Sequence, residues 1–92
     1  IELVFCTKKE ITKEKINDAF TTASKNQTKK VLEITKEKLV SIDFNHNSAS
    51  AVIDSTLTNV VSRDMGKISA WYDNEWGFSN RMCDIAEYLH KI

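Results

Sequence analysis

Residues 26–75 of this chain carry no helical periodicity, and that stretch limits the folds open to it more than any other feature. Before it, a helix is expected over residues 12–25. Ile16, Ala19, Phe20 and Ala23 recur there at i, i+3, i+4 and i+7 behind Thr12, a good N-cap. After it comes the clearest element of the chain, a helix over residues 76–91. Phe78, Met82, Ile85, Ala86 and Leu89 share one face of it, and Asp73 and Asn74 suit its capped, positive end. Residues 2–7 read as a strand rich in β-formers and buried on both faces. Between the helices, strands are expected at 31–34, 51–54 and 67–72, an extended start at Leu39 turns polar by Asn47, and Val60-Val61 lies within a turn-like stretch, 55–66. Strands with no helix between them pair antiparallel more readily than parallel, since a parallel return needs a long crossover. The reading is therefore α+β, a mostly antiparallel sheet with two helices, and no boundary inside residues 1–92.

What is scarce is as informative. The 92 residues include two glycines and no proline, so no Gly-rich phosphate loop can form. No apolar run approaches the roughly 20 residues that span a bilayer, and no secretory leader is visible. Net charge is zero, with +3 in residues 1–40 (9 Lys, 6 acids) against −3 in 41–92 (4 Lys+Arg, 7 acids). That is too mild to call for nucleic acid. No His, Cys, Asp and Glu set has metal spacing. The chain begins with Ile1, which reads as a piece of something longer.

Few residues are candidates for chemistry. Cys6, in mid-strand, is expected to be a structural, half-buried thiol, because a reactive one needs a helix N-terminus, a His or a well-placed cation, and the nearby Lys8 and Lys9 project unpredictably. Cys83, beside the apolar face of the last helix, is expected to pack. His90 suits the negative end of that helix. Asp43 and His46 lie close enough in sequence to form an acid–base pair, but polar loops of this kind usually bond their own backbone. The densest cluster is Trp71-Tyr72-Asp73-Asn74-Glu75-Trp76-Gly77-Phe78-Ser79-Asn80. A strand end running into a helix start exposes free N–H groups where ligands gather. The same residues serve equally well as core aromatics and a cap.

This cluster, continued by Arg81, resembles the C-terminal signature of phosphorylating glyceraldehyde-3-phosphate dehydrogenases. The resemblance extends back through Leu39-Val40-Ser41-Ile42-Asp43-Phe44-Asn45-His46-Asn47 and Ser50-Ala51-Val52-Ile53-Asp54 to Glu2-Leu3-Val4-Phe5, so it covers essentially the whole chain. It implies that residues 1–92 are the C-terminal part of a catalytic domain, with the dinucleotide-binding domain, the nucleophilic Cys and its activating His upstream. Neither Cys6 nor Cys83 takes the nucleophile's role. By the same resemblance, Asn74 hydrogen-bonds the nicotinamide carboxamide of NAD, and Phe78, where the family commonly has Tyr, packs beside that ring. Phe78 and the Asp43–His46 segment lean toward the close relative erythrose-4-phosphate dehydrogenase or toward bacterial glyceraldehyde enzymes. Ser48 replaces a proline often found in that loop.

For the intact enzyme the resemblance implies a sugar-phosphate aldehyde captured as a thiohemiacetal, hydride transfer to NAD, and release of the acyl group by inorganic phosphate. It implies a cytoplasmic homotetramer with no nucleic-acid or membrane partner. The piece alone is expected to be inactive, with the stripe Phe78, Met82, Ile85 and Leu89 uncovered. The alternative is a stand-alone interaction or assembly module.

Overall fold

The computed structural model describes residues 1–92 as five strands and two helices in chain order. They are β1 (Glu2–Cys6), α1 (Lys13–Lys25), β2 (Leu32–Thr35), a 3-10 turn (Ser41–Phe44), β3 (Ala51–Asp54), β4 (Asn59–Ser62), β5 (Met65–Trp71) and α2 (Asn74–Lys91). The sheet runs β1-β5-β3-β2, with β4 also on β5. β5 is its hub: β1 lies along one side, and β4 and β3 share the other.

The α+β, mostly antiparallel reading holds, with one correction. β2 and β3 pair parallel, Leu32 opposite Ala51 and Thr35 opposite Asp54. Their connection, residues 36–50, exceeds the dozen or so residues a parallel return needs. It makes the return through a 3-10 turn rather than a helix, so no helical period announced it. Val60-Val61, expected within a turn-like stretch, belongs to β4, with a register shift between Val60 and Ser62.

Each face of the sheet has its own small core. On one, Ile16 of α1 meets Ile53, Ile68 and Ala70, with Phe5, Ile11 and Phe20 around them. Thr12 caps α1 by accepting the Lys15 N–H at 3.2 Å, which aims Ile16 at the sheet. On the other face Phe44, Ala49 and Val52 pack with Leu39 and Trp71. The Phe44 and Trp71 rings stack 5.3 Å apart, 6° from parallel. The Trp71 indole N–H donates to Asp54 Oδ2 at 3.1 Å. Burial pushes the Asp54 pKa up, but bonds from Thr56 and Trp71 outweigh it and leave the carboxyl below its usual range. A depressed folded pKa gives stability that is present above the unfolded value, about 3.8, and lost as pH falls through the folded one. We expect Trp71 fluorescence to change only below about pH 4, and Asp54→Asn to remove that part of the transition; a change centred near pH 6 would contradict it.

Three expectations of burial fail. Leu3 and Val4 are 55% and 58% exposed, because β1 is an edge strand bonded on one side only. The other two concern Cys6 and Cys83, described below. The uncovered stripe of α2, by contrast, is as expected: Phe78, Met82, Ile85 and Leu89 are all more than half exposed. α2 is held by its first turn and by polar links. Arg81 reaches the Lys30 carbonyl and Ser50 Oγ, each at 3.1 Å, and pairs with Asp84 at 3.0 Å. Lys29 bonds Glu87, and with help from Lys91 it holds the Glu87 carboxyl down to about 2. The resulting chain is open, with a radius of gyration of 14.7 Å, where a compact domain of this length has about 12 Å.

Candidate functional site

Asp73 stands between β5 and α2 in an extended conformation (φ −89°, ψ 104°). Its Oδ1 accepts the Trp76 N–H at 3.0 Å, which caps the helix, and its Oδ2 accepts the His46 N–H at 2.9 Å. One carboxylate thus joins the start of α2 to a turn 27 residues upstream. The His46 bond first, then the Trp76 bond, hold the Asp73 carboxyl below its ordinary range against a small desolvation effect. The link is therefore intact throughout the neutral range. His46 is the one non-glycine residue in the left-handed region, φ 61°, a conformation that few side chains adopt without compensation. Its ring lies 5.0 Å from that of Trp76.

This junction borders a cleft of about 580 Å³. Ser41, Ile42, Phe44 and Asn45 form one wall, and Tyr72, Asp73, Asn74 and Glu75 the other. The lining holds carboxylates and no Lys or Arg, which disfavours a phosphate and suits a neutral group. Asn74 is exposed at the first position of α2, and its amide offers both a donor and an acceptor. Phe78, one turn on and 66% exposed, shares the Asn74 side of the helix but does not line the cleft.

The remaining candidates separate from this site. Asp43 and His46 form no pair: Asp43 Oδ2 accepts the Val40 N–H at 2.8 Å, closing its own 3-10 turn. Cys6 is exposed rather than half-buried, and Cys83 is exposed rather than packed, because nothing covers the open sheet edge or the outer surface of α2. His90 is exposed at the end of α2. A second cleft, about 490 Å³, lies between the end of α1, β2 and the 39–47 segment. Its polar groups pair internally: Glu33 takes Lys30 and the Asn47 amide. The Asp73 bond to His46 was not legible in the sequence, since the two lie far apart and neither belongs to a local pattern that predicts the other.

Gly77 explains itself by space. A Cβ built there would stand 3.1 Å from the Ala49 carbonyl oxygen, and Ala49 is 1% exposed, with its N–H fixed by Asn47. Alanine normally improves a helix by about 1 kcal/mol over glycine. Here we expect Gly77→Ala to lower stability by roughly 1 kcal/mol instead, because the backbone it meets cannot yield. A raised melting temperature would show that the loop yields after all.

The fold and the junction together define an α+β domain piece whose cleft opens where a strand delivers a helix start. Residues 1–74 match the family described as glyceraldehyde 3-phosphate dehydrogenase, C-terminal domain, and the chain belongs to that family. It is 45% identical over 89 residues to glyceraldehyde-3-phosphate dehydrogenase 2 of Staphylococcus aureus strain Mu50, covering 97% of this chain and 25% of that protein. It is 46% identical over 89 residues to the chromosomal glyceraldehyde-3-phosphate dehydrogenase of Cupriavidus necator, covering 97% and 26%. The chain thus spans about a quarter of the length of the curated relatives it matches.

Proposed function

We propose that residues 1–92 are the C-terminal part of the catalytic domain of an NAD-dependent enzyme that oxidises and phosphorylates glyceraldehyde 3-phosphate. The observation that carries this reading is the exposed Asn74 amide at a cleft without cations, in a chain of this family. When bound, the dinucleotide supplies the hydride acceptor. Asn74 would hold its carboxamide by donating to the carbonyl and accepting from the amide, which fixes which ring face meets the substrate. Phe78 would offer an apolar surface beside the ring. Orientation of this kind is a large part of what a site contributes to rate. The nucleophile and its base lie outside this chain, so the piece alone does not turn over. The intact protein is proposed to be a cytoplasmic homotetramer.

Erythrose 4-phosphate is the second aldehyde to test, favoured by Phe78 and the Asp43–His46 segment. The decisive assay follows NADH formation by the full-length protein with each aldehyde, with and without inorganic phosphate. Phosphate-dependent turnover of glyceraldehyde 3-phosphate at the higher kcat/KM supports the reading, and preference for erythrose 4-phosphate transfers it to the relative. The alternative of a stand-alone module rests on the bare α2 stripe. Sedimentation of the 92-residue chain tests that stripe: we expect self-association, abolished by Ile85→Lys. A stable monomer would count against it.

A further inference from the structure

The cofactor reading gives Asn74 the contact but does not say what keeps Asn74 in place. α2 has little to hold it. Its apolar stripe is uncovered, Arg81 ties its second turn to Lys30 and Ser50, and its later turns are tied through the exposed Lys29–Glu87 pair, which contributes little. Its first turn, where Asn74 lies, is fixed against the rest of the fold by Asp73 and by the close approach of Gly77 to Ala49. Two walls meet at the cleft. One is the Ser41–Asn45 segment, the other the Tyr72–Glu75 junction. Beside the Phe44–Trp71 stack at the base of the cleft, the polar side chain that fastens them is Asp73, immediately before Asn74.

We propose that Asp73 is a positioning residue for cofactor binding, whose two carboxylate oxygens clamp the Asn74 wall of the cleft to the opposite wall through the His46 N–H. This rests on the reading of Asn74 as the carboxamide contact. The division of labour is geometric. Oδ1 does what any good N-cap does for Trp76, and Oδ2 does what a cap alone does not. The cost of the arrangement is visible at His46, whose φ of 61° is a conformation that side chains adopt rarely and glycine freely. The Asp73 bond and the Trp76 ring beside it hold that turn in place. A carboxylate is required because it accepts on two sides at once. A serine at the same position caps equally well but is too short, with one oxygen, to reach both donors.

The test is a double-mutant cycle in the full-length protein, read by NADH fluorescence titration and by kcat and KM for NAD. Asp73→Ser retains the helix cap and removes the clamp. It is expected to weaken NAD binding and lower kcat/KM by about tenfold. In an Asn74→Ala background the same substitution should change either quantity less than twofold, because a positioning residue acts only through the group it positions. His46→Gly added to Asp73→Ser should recover a substantial part of the loss, since glycine holds the left-handed turn unaided. A lost cap would not be rescued in that way. An equal effect of Asp73→Ser in both backgrounds, or none in the wild type, overturns the proposal while leaving Asn74 as the contact. If Asn74→Ala alone is silent, the cofactor reading has failed, and the proposal fails with it.

Discussion

Phe44→Ala is expected to destabilise the fold by about 3–5 kcal/mol, the usual range for truncating a buried aromatic. Phe44 is 4% exposed and is the largest side chain in a core of three buried residues. Its ring lies flat on Trp71, and such pairs add about 0.5–1.5 kcal/mol beyond the area they bury. No larger core stands behind it to absorb the gap. The Phe44–Trp71 stack also attaches the 39–47 segment to the sheet, so the same substitution loosens one wall of the Asn74 cleft. The check is a urea transition with an unchanged slope and a lower midpoint. Ile42→Ala, on the same 3-10 turn but 73% exposed, should stay within about 0.5 kcal/mol. Equal effects for the two would mean that Phe44 is not the anchor.

Asn74→Ala in the full-length protein is expected to lower kcat/KM for NAD by at least about tenfold. A lost hydrogen bond accounts for about 0.5–1.5 kcal/mol, and the loss of ring orientation adds to it. KM and kcat should both move, because the amide binds and aligns the same group. Asn80→Ala is the control. Asn80 lies further along α2 and donates to the Trp76 carbonyl at 2.8 Å, so its amide serves the helix itself. If the two substitutions behave alike, Asn74 has no role in the cofactor site.

What the sequence disclosed follows the reach of each interaction. Helices are set by neighbours three and four residues apart, and both were legible to within about two residues at their ends. Asp73 as a cap is equally local. The strands at 51–54 and 67–72 declared themselves by β-forming side chains. Pairing direction did not, since the parallel β2–β3 return is decided by how residues 36–50 pack Phe44 beneath Trp71, contacts that cross the whole middle of the chain. Burial misled where it depended on neighbours. Val4 and Leu3 are apolar enough for a core, yet they stand on an edge strand that nothing in these 92 residues covers. Cys6 and Cys83 were misjudged for the same reason. The half of the candidate site that lies within Trp71–Asn80 was legible as a cluster. The other half, Ser41–Asn45 with His46 behind it, joins through the Phe44–Trp71 stack and the Asp73 bond, and contacts spanning 27 residues leave no pattern.

The hub position of β5 has a bearing on how the chain is made. β1 is synthesised well before its strand partner in this sheet, β5, which begins at Met65 and pairs Ser69 with Glu2. At about 5–20 residues per second on the ribosome, Leu3-Val4-Phe5 waits about 3–12 s before the strand it needs exists. Contacts of such long range are also slow to close once available. Throughout that delay a short apolar β-former lacks β5, and segments of this kind can nucleate aggregation. The flanking Glu2 and the Lys8-Lys9 pair are the charges that would restrain it. The vulnerable moment in the life of this chain is thus its synthesis, and substitutions that neutralise Glu2 or Lys8-Lys9 should reduce soluble yield while leaving the melting temperature of the finished fold nearly unchanged.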